Sequence, residues 1–388
     1  HADAPALSLL PAGRIVHAGN GPNVGSGGEE WVVRLTSHGM LDPSFGSYGQ
    51  VKGTSGWDIL HIHTMARGVL LAVGSHSLER YTAAGVPDRS FGPGGVRRLS
   101  TPHDTFDATV DAAGRILVLA TSMSSPTKVE VKRFLPSGRP DAGFGAHGVA
   151  LPRGLPHAEP IALATQRDGS VIVLGATTSK PKPSLLLARL TPTGKLDSSF
   201  GRGGIVRPPI PSRRVSLSVA VAPDGQVALA AGENFLDPSR HARLLLVRYT
   251  STGRLDRSFG AGGVASSDAS TIEHRGRVVP LLPHAIAFDA AGDTIVAGAN
   301  TYGRIDRGTE VPWFLARYTT HGLDCSFGTN GIVIGNEPGS ADAIAVQRNG
   351  RIVIAGHRGE ALIAARYLGG GKPRTCPGED RTTRMREG

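Results

Sequence analysis

The sequence predicts an all-β fold: a single seven-bladed β-propeller of four-stranded antiparallel blades, with the last blade incomplete. Three observations carry that prediction. A turn motif, Asp-x-x-Phe-Gly-x-x-Gly, recurs at residues 42–49, 88–95, 141–148, 197–204, 256–263 and 324–331. An apolar segment folded round a tight-turn glycine recurs at Gly13, Gly68, Gly114, Gly169, Gly225, Gly292 and Gly350. These glycines stand 46 to 67 residues apart, and periods of that order mark propellers and other repeat folds.

The first two strands of each blade flank the turn glycine, as in "DGSVIVLG" (168–175) and "NGRIVIAG" (349–356). Asp-Gly, Asn-Gly and Ala-Gly between apolar runs are hairpin turns, because glycine accepts the positive φ such a turn demands. Segments such as "LLLARLTPTG" (185–194) and "LLLVRYTSTG" (244–253) have the length and β-rich character of a third strand. A short Gly-x-Val after the Phe-Gly turn supplies the fourth, which completes a propeller blade. The blades fall approximately at residues 4–53, 54–99, 100–152, 153–208, 209–266, 267–335 and 336–376, so one propeller domain spans 1–376. Residues 377–388 read as a disordered tail. After Tyr367 the turn motif is replaced by "PRTCPGED", which leaves blade 7 short of its fourth strand. Ala4–Leu10 is expected to be the inner strand of blade 1.

An arginine stands in every third strand: Arg34, Arg80, Arg133, Arg189, Arg248, Arg317 and Arg366. In five repeats the motif Asp follows it by eight residues, in blade 6 by seven, and in blade 7 Arg374 stands where the Asp is expected. Fixed spacing across a turn predicts that guanidinium and carboxylate meet. A pair present in every blade is scaffold, since one active site does not repeat around a ring. The Phe is expected to plug the space between blades.

Stretches such as Arg248–Gly263 and "AIAVQRNGRIVIAG" (343–356) resemble the bacterial delta-sixty repeat family and, more loosely, NHL-type propellers. The likeness covers essentially the whole chain. It implies a propeller, commonly in exported or cell-surface bacterial proteins, and no defined activity. The small-residue start "HADAP" points the same way, as the product of signal-peptide cleavage, and so does the sparing use of cysteine. Secretion or surface display is therefore expected. No apolar run approaches the length of a membrane span. The net charge of +10 comes without the interleaved basic and aromatic clusters of nucleic-acid binders, so nucleic acid is not an expected partner.

Function must lie where the repeats differ. Five and seven residues before the turn glycine, most blades carry Ala, Ser or Thr; blade 2 carries His63 and His61, and blade 3 carries Asp107 at the outer position. Two histidines at i, i+2 on a strand point the same way. With Asp107 they are the residue types of a divalent metal site or of acid–base catalysis. The alternative is that the imidazoles fill space beside the channel and bond to neighbouring backbone. His103, His157, Arg213, Arg214, His274, His284, Asp342 and His357 gather on the same inferred face, where charge is mixed rather than uniformly basic. The leading expectation is a monomeric binding or surface-interaction module whose partner is a glycan, a small molecule or a surface protein. Its rival is a lyase or hydrolase acting on a glycan or cyclic ester through His61, His63 and Asp107. Cys325 and Cys376 occupy equivalent turns of blades 6 and 7 and are expected to form a disulfide.

Overall fold

The computed structural model describes residues 6–20, 30–53, 59–99, 105–122, 125–152, 155, 158–177, 184–210, 214–233, 243–267, 273–274, 277–278, 281–299, 312–358 and 361–369. These residues form β-strands and three short 3-10 turns. Seven successive antiparallel sheets make a seven-bladed β-propeller. In blades 1 to 5 the four strands follow chain order across the sheet. Blade 6 differs: Gly322–Leu323 and the longer Ile332–Pro338 both pair with its third strand, Pro312–Thr319. Among the described residues blade 7 has three strands, Ala343–Val346, Ile352–Arg358 and Ala361–Tyr367, in keeping with the replacement of its turn motif. The tail at 377–388 lies outside the described residues.

The chain divides into two compact units, His1–Pro208 with Ile354–Ala365 and Pro209–Val353 with Arg366–Gly388. The first contains blades 1 to 4. Its inner strands are Ala6–Leu9, Ile59–Thr64, Thr105–Val110 and Ala158–Thr165, each beside the next. The second strands read as unbroken apolar runs because they are buried on both faces. In blade 2, Leu70 and Ala72 pack toward blade 1 with Val16, Val32 and Phe45. Their alternates Leu71 and Val73 pack toward blade 3 with Ile116 and Val118. Leu117 and Leu119 then turn toward blade 4. This period of two lets one strand serve two cores, each fully buried aliphatic side chain contributing about 1.5–3 kcal/mol.

In the second unit, the inner strands Arg214–Val221, Leu282–Phe288 and Ala343–Val346 are neighbours in the same way. Leu244, Leu246, Phe259, Val296 and Phe314 form the core shared by blades 5 and 6. A small extra hairpin, Glu273–His274 with Arg277–Val278, precedes blade 6.

The repeated arginine is a clasp. In blade 3 the Arg133 Nε donates to Asp141 Oδ2 at 2.8 Å, and Nη1 reaches forward to the Pro192 carbonyl of blade 4 at 2.6 Å. Arg34 reaches the Ala83 carbonyl, Arg80 reaches that of Pro136 and Arg317 that of Gly369. The guanidinium carbons stand 4.3–5.1 Å above the motif Phe rings, at cation–π distance. Those six phenylalanines are buried. Glycine is required where the next blade closes on them: a Cβ on Gly194 would fall 2.9 Å from the Gly145 nitrogen and 3.1 Å from the Phe144 ring. Blade 5 departs from the pattern. Gln226 Oε1 accepts from Arg248 Nη2, and the buried Arg248 Nε and Asp256 Oδ2 make no hydrogen bond among the described residues.

Candidate functional site

Inner strands carry a β-bulge at one recurring place. In blades 2, 3, 4 and 6 the register shifts across Leu60, Phe106, Ile161 and His284. Each of these lies eight residues before its turn glycine. A bulge re-aims the side chains around it, so equivalent positions of adjacent inner strands come to face each other.

His61 and Asp107 are such a pair, both seven residues before their glycines. His61 Nε2 stands 3.4 Å from Asp107 Oδ1, with the side chains 27% and 19% exposed. His63 Nε2 lies 3.2 Å from the Ala108 carbonyl, and its ring stacks on His61 with centroids 6.3 Å apart. Asp107 accepts from the amides of Ala108 at 2.8 Å and, across to blade 4, Leu163 at 2.7 Å. On the other side, Ser8 and Thr64 hydroxyls bond at 2.8 Å. These contacts stitch the inner strands of blades 1 to 4 together.

Burial sets the charge of this cluster. It pushes the His61 imidazole down to about 4. For His63, burial and then repulsion from a charged His61 outweigh the bond to Ala108, bringing it to about 3. The Asp107 carboxyl is raised to about 7 by burial, against the pull of two backbone amides. Near neutrality the imidazoles are therefore uncharged while the carboxyl is close to half-protonated.

Of the three residues expected as metal ligands, His61 and Asp107 face each other. His63 faces a carbonyl and both Asp107 oxygens face amides, so the three side chains do not converge. Among the described residues no group of three or more His, Cys, Asp or Glu is placed to hold a metal ion.

A second pair joins blades 6 and 7. His284 Nδ1 lies 2.6 Å from Asp342 Oδ1, with side chains 19% and 8% exposed. The buried Ser340 hydroxyl donates to the other carboxylate oxygen. A carboxylate on Nδ1 fixes the tautomer and orients the ring, and Nε2 makes no hydrogen bond with a described residue. Both residues stand eight before their turn glycines. Counting the repeat frame back one further position would have paired them from the sequence.

The remaining described candidates lie on separate elements. His357 is half-buried at the end of Ile352–Arg358, Arg214 opens the inner strand of blade 5, and His274 belongs to the extra hairpin. His103, His157, Arg213 and Cys376 lie outside the described residues. No helix among the described residues is long and apolar enough to cross a membrane.

A family model described as domain of unknown function (DUF5122) beta-propeller matches residues 166–200, from the hairpin turn to the motif Phe of blade 4. No curated protein matches the chain. Among solved structures, Drosophila semaphorin 2a is 9% identical at a TM-score of 0.52, covering 95% of this chain and 74% of that one. At such identity the likeness concerns fold alone. A protein of unknown function from Bacteroides caccae is 15% identical, covering 84% of this chain and 99% of its own, at a TM-score of 0.48. Sqt1 from Chaetomium thermophilum is 14% identical, covering 92% and 80%, at 0.43. The last two are too loose to carry weight.

Proposed function

We propose that this β-propeller, of the delta-sixty repeat kind, is a secreted or cell-surface binding module that acts as a monomer and takes an uncharged polar ligand such as a glycan. The observation that carries the reading is the His61–Asp107 pair. It keeps part of each side chain exposed, and near neutrality it offers an uncharged imidazole and a carboxyl that is about half-protonated, groups that between them donate and accept hydrogen bonds. Such groups recognise hydroxyls without the desolvation cost of a full charge. The His63 and Asp107 bonds to neighbouring backbone hold the strands that present them. The test is a glycan array with the wild-type chain and His61→Ala. A glycan bound by the wild type and lost by the variant, with circular dichroism unchanged, supports the reading; equal binding by both overturns it.

One observation favours a second reading, a lyase or hydrolase acting on a glycan or cyclic ester. Asp342 holds His284 through Nδ1, the arrangement in which a carboxylate orients a general base. Turnover of a glycan or ester panel that His284→Ala abolishes would establish it.

A further inference from the structure

The tight turns of blades 1 and 2 are built differently from all the others. In blades 3 to 7 an Asp or Asn side chain accepts a turn amide: Asp111, Asp168, Asp224, Asp289 and Asn349. They stand three residues or one residue before the turn glycine. Blade 1 has Leu10 and Ala12 at those places, and blade 2 has Met65 and Arg67. With no side chain to cap it, the backbone turns over, and Ala12 (φ 60°) and Arg67 (φ 59°) enter the left-handed region. Arginine seldom adopts that conformation, and strain of this sort gathers at ligand sites.

A cavity of about 500 Å³ opens between the same two turns, at the opposite end of the blade 2 inner strand from His61. Leu10, Pro11 and Met65 give it apolar walls, and Arg14, Arg34 and Arg67 line it with three guanidinium groups. Arg34 is committed to Asp42, Ser44 and the Ala83 carbonyl. Arg14 is 37% exposed, and its nearest carboxylate, 3.8 Å away, is the one Arg34 already holds. Arg67 makes no ion pair or side-chain hydrogen bond among the described residues. One carboxylate, Asp42, thus serves two of the three guanidinium groups, and the lining between them is largely apolar.

We propose that this cavity binds a small carboxylate carrying a short apolar chain, its head between Arg14 and Arg67 and its chain against Leu10, Pro11 and Met65. Guanidinium recognises carboxylate through two parallel hydrogen bonds, and the apolar walls favour an organic anion over an inorganic one. The site is independent of the His–Asp pairs.

The experiment is calorimetric titration of the whole chain with hexanoate, hexanol and inorganic phosphate. Hexanoate is expected to bind saturably, with the other two at least ~10-fold weaker, since each lacks one half of the recognition. In Arg67→Gly the guanidinium is lost while glycine accepts φ 59° without strain, so the melting temperature holds or rises. Hexanoate affinity then falls about 10- to 100-fold, as loss of a charge-assisted contact requires. Arg14→Gln, which keeps every φ of the turn and removes only the guanidinium with its long 3.5 Å bond to the Pro11 carbonyl, is expected to weaken hexanoate in the same direction. Absence of saturable hexanoate binding, tighter binding of phosphate, or wild-type affinity in a folded Arg67→Gly would each overturn the assignment.

Discussion

The clasp repeats one chemistry at different depths, so burial can be tested with everything else held nearly constant. In blade 2, Arg80 Nε meets Asp88 Oδ2 at 2.9 Å with the side chains 15% and 19% exposed. In blade 6, Arg317 Nε meets Asp324 Oδ2 at 2.7 Å, and those side chains are 5% and 0% exposed. In both, the other carboxylate oxygen accepts from the backbone amide and hydroxyl of the serine two residues on. Those serine bonds, then Arg80, hold the Asp88 carboxyl below its usual range against the opposing effect of burial. Asp→Asn keeps the acceptor for serine and turns an NH2 toward the arginine Nε–H. At Asp324 this strands a buried guanidinium, which costs about 3–5 kcal/mol. At Asp88 water can reach the loosened pair, and the cost is about 1 kcal/mol or less. Urea unfolding of Asp88→Asn and Asp324→Asn, followed by far-ultraviolet circular dichroism, measures both. Equal costs would refute the argument that burial sets the strength of the clasp. Replacing both partners, Arg317→Met with Asp324→Leu, should recover much of the larger loss, because no lone charge is then left inside.

Three more outcomes are expected. The chain is proposed to unfold as one propeller domain, giving a single transition by scanning calorimetry; two well-separated transitions would divide it. Stability should fall on acidification: between pH 4 and 6.5 the unfolded state binds two protons at His61 and His63, while the folded state binds one, at Asp107. For this cluster the net uptake of one proton on unfolding contributes a loss of about 1.4 kcal/mol per pH unit below 6.5, which the folded-state proton on the buried Asp293 carboxyl, raised to about 6, offsets below about pH 6. His63→Gln should flatten that slope in a pH series of urea titrations, and an unchanged slope would show that His63 does not supply the proton. Cys325 and Cys376 are proposed to be bridged, closing a loop of about 50 residues and contributing on the order of 3–4 kcal/mol; two alkylatable thiols in non-reducing peptide mapping would exclude the bridge.

What could be read from the sequence was whatever the repeat states in blade after blade. The turn glycines, the eight-residue interval from Arg to Asp and the buried Phe are local constraints, and local constraints leave local patterns. The forward reach of the clasp was not legible: Arg133 and the Pro192 carbonyl lie 59 residues apart, and any residue can offer a carbonyl. His61 and His63 stood out as departures from Ala and Ser, yet only coordinates show one of them facing a carboxyl and the other a carbonyl. The bulge that pairs His284 with Asp342 leaves no mark in residue type, because Leu60, Phe106 and Ile161 fill the same place elsewhere, and only the shared eight-residue offset from the turn glycine links the two in the sequence. Blade 5 teaches the same lesson. Nothing in its spacing distinguishes Arg248 from its counterparts, and one neighbouring glutamine, Gln226, redirects it.

The clasp also bears on how such a chain could have arisen. Each motif carries its own arginine, carboxylate and ring, and asks of the following repeat only a backbone carbonyl and a glycine small enough to sit against the ring. A tandem duplication of one repeat would therefore duplicate a working joint, with no matching change required in the older copies. Selection would then be left free to act on the loops between joints. Blade 7 fits that history on its receiving side: its Gly369 carbonyl takes the clasp of Arg317, although Arg374 stands where its own motif aspartate is expected.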